Sequence, residues 1–235
     1  MRYSINFTPP AHDPLTLAAA QWLGRHAFSG AAFDHPALRS LTLHDIAFNT
    51  ALPRRAGFHG CLRPTFRLVP GVSEQELLRD LMRFAGKQRP FTLPQLEVVR
   101  IGTQFALAPV IPSQSMHLLA GAVVTEFERF RLPMPDDEME RADPGNLSAG
   151  QFANMLRWGD PYLMDEFRFH MMLTGPLATA DLGRFETALR SYFSPVLSEP
   201  VEVTNLALFV EEEPGAPLTV HSLHPLGRVS ARRTA

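Results

Sequence analysis

Gly57-Phe58-His59-Gly60-Cys61-Leu62 and Arg168-Phe169-His170-Met171-Met172-Leu173 are near copies of one phrase, with the two histidines 111 residues apart. Each phrase sets a histidine inside a short apolar run, and the same signals follow both in the same order. After His59 the chain reads as a strand, Leu62 to Gly71, that ends at a turn around Pro70-Gly71. Ser73 then stands three residues before Glu76, the spacing of a capping box. Leu77, Leu78, Leu81, Phe84 and Ala85 recur at helical intervals, Gly86 closes the helix, and Pro90 opens a strand region reaching Val110. After His170 a strand ends at Gly175-Pro176, and a helix runs from Thr179 or Asp181 to Phe193. Strands follow at Val201 to Val210 and at Leu218 to Leu223. His59 to Pro90 is 31 residues and His170 to Pro200 is 30, which predicts a duplicated strand-helix-strand-strand unit. Two histidines at equivalent points of such a repeat can meet at one cleft, as a paired general base and acid require.

Outside the repeat, Arg2 to Phe7 reads as a strand, and Asp13-Pro14 starts a helix through Leu23. Ser113 caps a helix carrying Met116, Leu119, Val123 and Phe127. Ser148 with Gln151 caps another that stops at Gly159. Pro133 to Asn146 reads as a polar loop, and residues 28 to 56 carry no clear pattern. The fold class expected is α+β, with strands forming a concave surface and helices behind it.

Bulk properties narrow the function. The chain has 235 residues, 45% hydrophobic and 20% charged, enough for a proper core. A formal charge of −2 argues against wrapping nucleic acid or lying on an anionic membrane. The single cysteine, Cys61, allows no internal disulfide and fits a reducing cytoplasm. MRYSINFTPP has no apolar signal core, and no stretch reaches the length of a membrane span. No HExxH, paired Cys-x-x-Cys or glycine-rich phosphate loop is present, so neither metal nor cofactor is expected. The acidic runs Asp136 to Glu138 and Glu211 to Glu213 read as solvated loop charge.

A set of longer phrases carries a resemblance. They are RYSINFTPP at the front, Pro53-Arg54-Arg55 running into GFHGCL, RPTFRLVPGVSEQEL, RPFTLP, WGDPYLMDEFRFHMMLTGPL and LALFVEEEPGAPL, spanning residues 2 to 218. In these the chain resembles the 2H phosphoesterase superfamily, in the DUF1045 branch often encoded among phosphonate-metabolism genes. The resemblance implies a single bilobal domain, two duplicated sheet-plus-helix lobes around a central cleft. The lobe of the first histidine would cover about 28–112, that of the second about 160–226. It also implies one His-x-Thr-x motif per lobe and metal-free opening of cyclic phosphates or related diesters.

The physics of that pattern is independent of the family. On a strand, residues i and i+2 share a face, so histidine and threonine point together. One histidine accepts a proton from water, the other gives one to the leaving alkoxide, and the hydroxyls hold phosphoryl oxygens. Here both hydroxyls are replaced: Cys61 follows His59, and Met172 follows His170, at the threonine positions. A thiol donates weakly and a thioether donates nothing.

The expected catalytic pair is His59 and His170. Candidate phosphate ligands are Cys61, Arg63, Arg168, Thr174 and Tyr162, with Tyr3 and Arg54-Arg55 as further donors. Arg63 and Thr65 would share the face of His59 by alternation, Arg168 and Thr174 that of His170. Taken singly, a histidine in an apolar strand is more often a core residue, Cys61 a small packed side chain, and Met172 plain packing. The function expected is a cytoplasmic, metal-independent phosphodiesterase acting on a small phosphorylated metabolite, with no membrane and no extended nucleic acid as partner. The alternative is a binding protein that has kept the cleft and lost turnover.

Overall fold

A computed structural model describes residues 1–135 and 144–227. The acidic run at Asp136 to Glu138, and most of the loop expected around it, lie outside the described residues.

In chain order the elements are β1 (Arg2–Phe7), α1 (Pro14–Leu23), α2 (Leu43–Asn49), α3 (Ala51–Ala56), β2 (Gly60–Phe66) and α4 (Glu74–Ala85). Then come β3 (Phe91–Leu93), β4 (Leu96–Ile101), β5 (Gln104–Pro109), α5 (Gln114–Phe127), α6 (Ala149–Trp158) and β6 (Met171–Met172). The last are α7 (Leu182–Phe193), β7 (Val201–Val203), β8 (Asn205–Glu211) and β9 (Thr219–Pro225). The capping boxes at Ser73/Glu76 and Ser148/Gln151 form as their spacing predicts, and Ser113 caps α5. The unpatterned stretch 28–56 holds the short helices α2 and α3, with a Thr42/Asp45 capping box. Seven and six residues are too few for a clear periodicity.

Among the described residues, seven strands make one antiparallel sheet in the order β4-β5-β6-β2-β1-β8-β9, and β3 pairs with β7 in a small second sheet. The repeat is visible in these pairings. β2 and β6, which carry the two histidine phrases, lie side by side, with Gly60 opposite Met171. The equivalent short strands β3 and β7 also pair with each other, Thr92 opposite Glu202. Unit meets matching unit, as a pseudo-two-fold demands. The architecture is α+β.

One face of the sheet carries the core. Ile5, Phe7, Leu107, Met171 and Leu208 point that way, and all are fully buried. Against them pack Leu77 and Leu81 of α4, Met116, Val123 and Phe127 of α5, and Phe185 and Leu189 of α7. Trp22 of α1 anchors this layer to the β6 segment by donating from Nε1 to the Leu173 carbonyl at 2.9 Å. Glu211 departs from its reading as loop charge: it ends β8, is buried, and is ion-paired with Arg2. Among the described residues no helix is long and apolar enough to cross a membrane.

Candidate active site

Antiparallel pairing fixes which side chains share a face. With Gly60 opposite Met171, His59 falls beside Met172 and Cys61 beside His170. Gly60 and Met171 face the core, so these four motif residues lie together on the other face. Asn6 on β1, opposite Cys61, and Ala106 on β5, opposite Met172, complete the row. Glycine at 60 is required by its neighbour: a Cβ there would lie 2.1 Å from the Phe169 ring.

Both imidazoles are held the same way. His59 Nδ1 bonds the Gly57 carbonyl at 3.0 Å, and His170 Nδ1 bonds the Arg168 carbonyl at 2.8 Å. Each contact runs two residues back along the chain. A carbonyl only accepts, so Nδ1 carries the proton and Nε2 is the nitrogen left to act. His59 also lies against the Phe209 ring, centroids 4.9 Å apart. Burial pushes its pKa down to about 4, with His170 adding to the shift and the Gly57 carbonyl opposing it. His59 is therefore a neutral imidazole through the physiological range.

The candidate phosphate ligands are placed differently. Burial pushes the Cys61 thiol up to about 12, with Asp160 adding and Arg63 opposing, so it stays protonated. The alternation from His59 to Arg63 is broken by an irregularity in β2, where Cys61 opposes Asn6 but Arg63 opposes Ile5. Arg63, 1% exposed, turns toward α5, ion-paired with Glu128 at 2.6 Å and donating to the Val124 carbonyl at 3.3 Å. Thr174 is also out of phase, because Leu173 and Thr174 both donate to the Phe105 carbonyl. Its hydroxyl is buried and accepts from the Phe105 N–H at 2.9 Å. Arg168 ties back to the carbonyls of Asp165 and Phe167 and lines a cavity of about 520 Å³ beside the site, with His117 and Phe169. Tyr162 is exposed. Tyr3 is on the core face and donates to Glu74 at 2.8 Å, and Arg54 donates to the Ala47 carbonyl.

The family model described as "Protein of unknown function (DUF1045)" matches residues 61–219. The chain belongs to the DUF1045 family. It is 33% identical over 220 residues to a protein of Janthinobacterium sp. (strain Marseille) named ribose 1,5-bisphosphate phosphokinase PhnN. A protein of the same name from Laribacter hongkongensis (strain HLHK9) is 31% identical over 216 residues. Each match takes in 92% of this chain but only 49% and 50% of those proteins, so the chain spans about half the length of the curated relatives it matches. Two solved structures, a phosphoesterase and E. coli LigT complexed with 3'-AMP, each share 14% identity at a TM-score of 0.41. They cover 97% of this chain and 99% and 98% of those chains.

Two residues of this DUF1045 chain join the site without a signal in the sequence. Asn6 is fully buried beside Cys61; its Nδ2 donates to Ser4 Oγ at 2.9 Å, and among the described residues its Oδ1 has no hydrogen-bond partner. Asp160 stands on the turn after α6, which Gly159 closes in the left-handed conformation, and its Oδ1 accepts from the Tyr162 N–H at 2.8 Å. Its pKa is raised by burial, against the pull of Tyr162 N–H and Arg63. Asp160 sits inside the quoted WGDPYL phrase, but that phrase gives no hint that its carboxyl reaches toward β2.

Proposed function

We propose that the protein is a metal-independent 2H phosphodiesterase acting on a small cyclic or diester phosphate. The observation that carries the reading is the pair of histidines immediately preceding the adjoining strands β2 and β6, each with Nδ1 held by the carbonyl two residues back. His59, neutral, takes a proton from water as the water oxygen attacks phosphorus. The bond from phosphorus to the leaving oxygen breaks, and His170, carrying a second proton on Nε2 in addition to the one on Nδ1, donates it to that alkoxide. The product is a phosphomonoester with a free hydroxyl. The curated relatives are named for ribose 1,5-bisphosphate, a ribosyl phosphomonoester of the kind that opening a ribosyl cyclic phosphate yields. Ribosyl cyclic phosphates are accordingly the substrate class we assign, with phosphonate breakdown as the context.

A second reading is favoured by Cys61 and Met172. Each missing transition-state donor costs on the order of 10²-fold in rate. A protein that binds a phosphorylated metabolite and turns it over slowly or not at all would keep the same cleft.

The test is a screen of the purified chain against cyclic and acyclic phosphodiesters in the presence of EDTA. Turnover lost in His59→Ala and in His170→Ala supports the enzyme. Ligand binding with no turnover of any diester supports the binding protein.

A further inference from the structure

β5 and the segment leading into β6 separate at Pro109. The Leu173 N–H donates to the Phe105 carbonyl at 2.8 Å, so the rungs joining β5 to β6 fall at residues 105, 107 and 109. Leu107 stands opposite Met171, and the next rung would set Pro109 against Phe169. Proline has no N–H to give, and the pairing stops at Leu107. Where the two chains diverge, a cavity of about 520 Å³ opens between β5, the start of α5 and residues 167–169.

This cavity adjoins the histidine face directly. Phe169 in its wall is the residue before His170, and Arg168, also in the wall, holds the His170 ring through its carbonyl. The register that sets Ala106 opposite Met172 brings Ala108 level with His170, and Ala108 lines the cavity too.

The charge of the wall is one-sided. Arg168 lines it, and among the described residues no acidic side chain does. Arg168 Nη1 donates to the carbonyls of Asp165 and Phe167 at 2.9 and 2.7 Å, which fixes the guanidinium in place. Its Nε and Nη2 have no partner among the described residues. The nearest acids in the chain turn elsewhere: Asp165 lines a neighbouring cavity along α5, and Glu166 accepts from Gln151. A guanidinium anchored by one nitrogen, with the Nε and Nη2 edge free, is a two-pronged donor for phosphate. Ser113 across the cavity accepts from the Met116 N–H and keeps its hydroxyl proton to give. Two residues of extended chain span about 7 Å, a gap that one sugar ring bridges between a phosphate at His170 and another at Arg168.

We propose that this cavity receives a second phosphate, carried on the sugar of the cyclic diester, and that Arg168 is the specificity residue that binds it. This rests on the phosphodiesterase reading above and narrows the substrate to a ribosyl cyclic phosphate that is also phosphorylated at a distal hydroxyl. Opening it yields a sugar bisphosphate.

The test separates binding from turnover. The purified chain is titrated calorimetrically with ribose 1,5-bisphosphate and with ribose 1-phosphate, which differ by the distal phosphate alone. It is also assayed on ribose 1,2-cyclic phosphate with and without a 5-phosphate. Wild type should bind the bisphosphate at least about 10-fold tighter, the scale of hydrogen bonds between charged groups, and show the same preference in kcat/KM. Arg168→Ala should bring the two ligands within about 2-fold. Arg168→Lys, which keeps the charge and loses the fork, should retain part of the preference. Arg168 is exposed, so neither change should move the melting temperature. His59→Ala should keep the binding preference while abolishing turnover. Binding of neither ligand, equal binding of both by wild type, or a preference that survives Arg168→Ala overturns the subsite. A preference that depends on Arg168, with no turnover of any cyclic diester, leaves the subsite standing and removes the phosphodiesterase reading instead.

Discussion

Gly60 and Met171 sit directly opposite each other where β2 meets β6, and each is the residue after a histidine. That single antiparallel pair brings equivalent points of the two repeats together and turns His59, Cys61, His170 and Met172 onto one face. Its close fit depends on the bare Gly60 Cα, over which the Phe169 ring is packed.

Gly60→Ala is expected to destabilise the protein by about 1–3 kcal/mol, because a methyl group 2.1 Å from the ring must displace it. Phe169→Leu in the same chain should recover part of the loss. Denaturant titration of the two single variants and the double gives the coupling, and strictly additive effects would rule out the contact as the cause.

The pH dependence of stability follows from His59. Its pKa is about 4 in the folded chain against 6.5 for a free histidine side chain, so the unfolded chain binds more protons between those values. Stability is therefore complete above about pH 6.5 and falls as pH drops toward 4, by on the order of 2 kcal/mol after discounting for partial exposure. His59→Gln should lack this part of the acid slope. Melting curves from pH 7.5 to 4 that match between the two proteins would count against a neutral, buried His59.

Arg63 is expected to act through the fold. Its guanidinium is buried and paired with Glu128, which also keeps Arg131 as a partner, so Arg63→Ala leaves a cavity and an unpartnered Val124 carbonyl rather than a lone charge and should cost about 2 kcal/mol. Arg63→Met refills the space with an apolar side chain, leaves the Arg131–Glu128 pair intact and should recover most of that. If Arg63→Ala instead keeps its stability and weakens phosphate binding, Arg63 is a ligand after all.

Much of this fold is legible in the sequence because its signals are local. Ser73/Glu76, Ser113 and Ser148/Gln151 mark helix starts by spacing alone, and the 30- and 31-residue intervals after the histidines mark the repeat. Pairing between distant strands leaves no such mark. That β1 lies between β2 and β8, so that Asn6 comes to rest against Cys61, follows from contacts some 55 and 200 residues apart along the chain. Strand alternation fails for Arg63 and Thr174 because irregular pairing at β2 and at Leu173-Thr174 shifts the phase; at β2 Pro64, which cannot donate to the ladder, is the one residue type that signals it. The histidine face is thus readable from i and i+2 only over the few residues nearest each histidine.

The substituted motif positions give the most direct test of mechanism, and the structure separates their effects. Cys61 stands opposite Asn6, whose buried Oδ1 has no donor among the described residues. In Cys61→Thr the new hydroxyl can satisfy that acceptor, so this change should raise stability by about 1 kcal/mol and turnover only slightly. Met172 neighbours Ala106, which offers no side-chain acceptor, and His59, whose Nε2 is engaged by the attacking water in the reaction proposed above. Met172→Thr should therefore give the larger gain in turnover of a cyclic phosphodiester, since its hydroxyl is left to meet charge that builds on the phosphoryl oxygens. His59→Ala or His170→Ala in the double-threonine chain should abolish the gain, because hydroxyls position phosphate and move no protons. The thiol at 61, held protonated with a pKa of about 12, should resist alkylation by iodoacetamide at neutral pH. Rapid alkylation with loss of activity, or a fall in rate on Cys61→Thr with the fold intact, would make Cys61 a nucleophile. No gain from Met172→Thr in a well-folded chain would favour the binding protein over the enzyme.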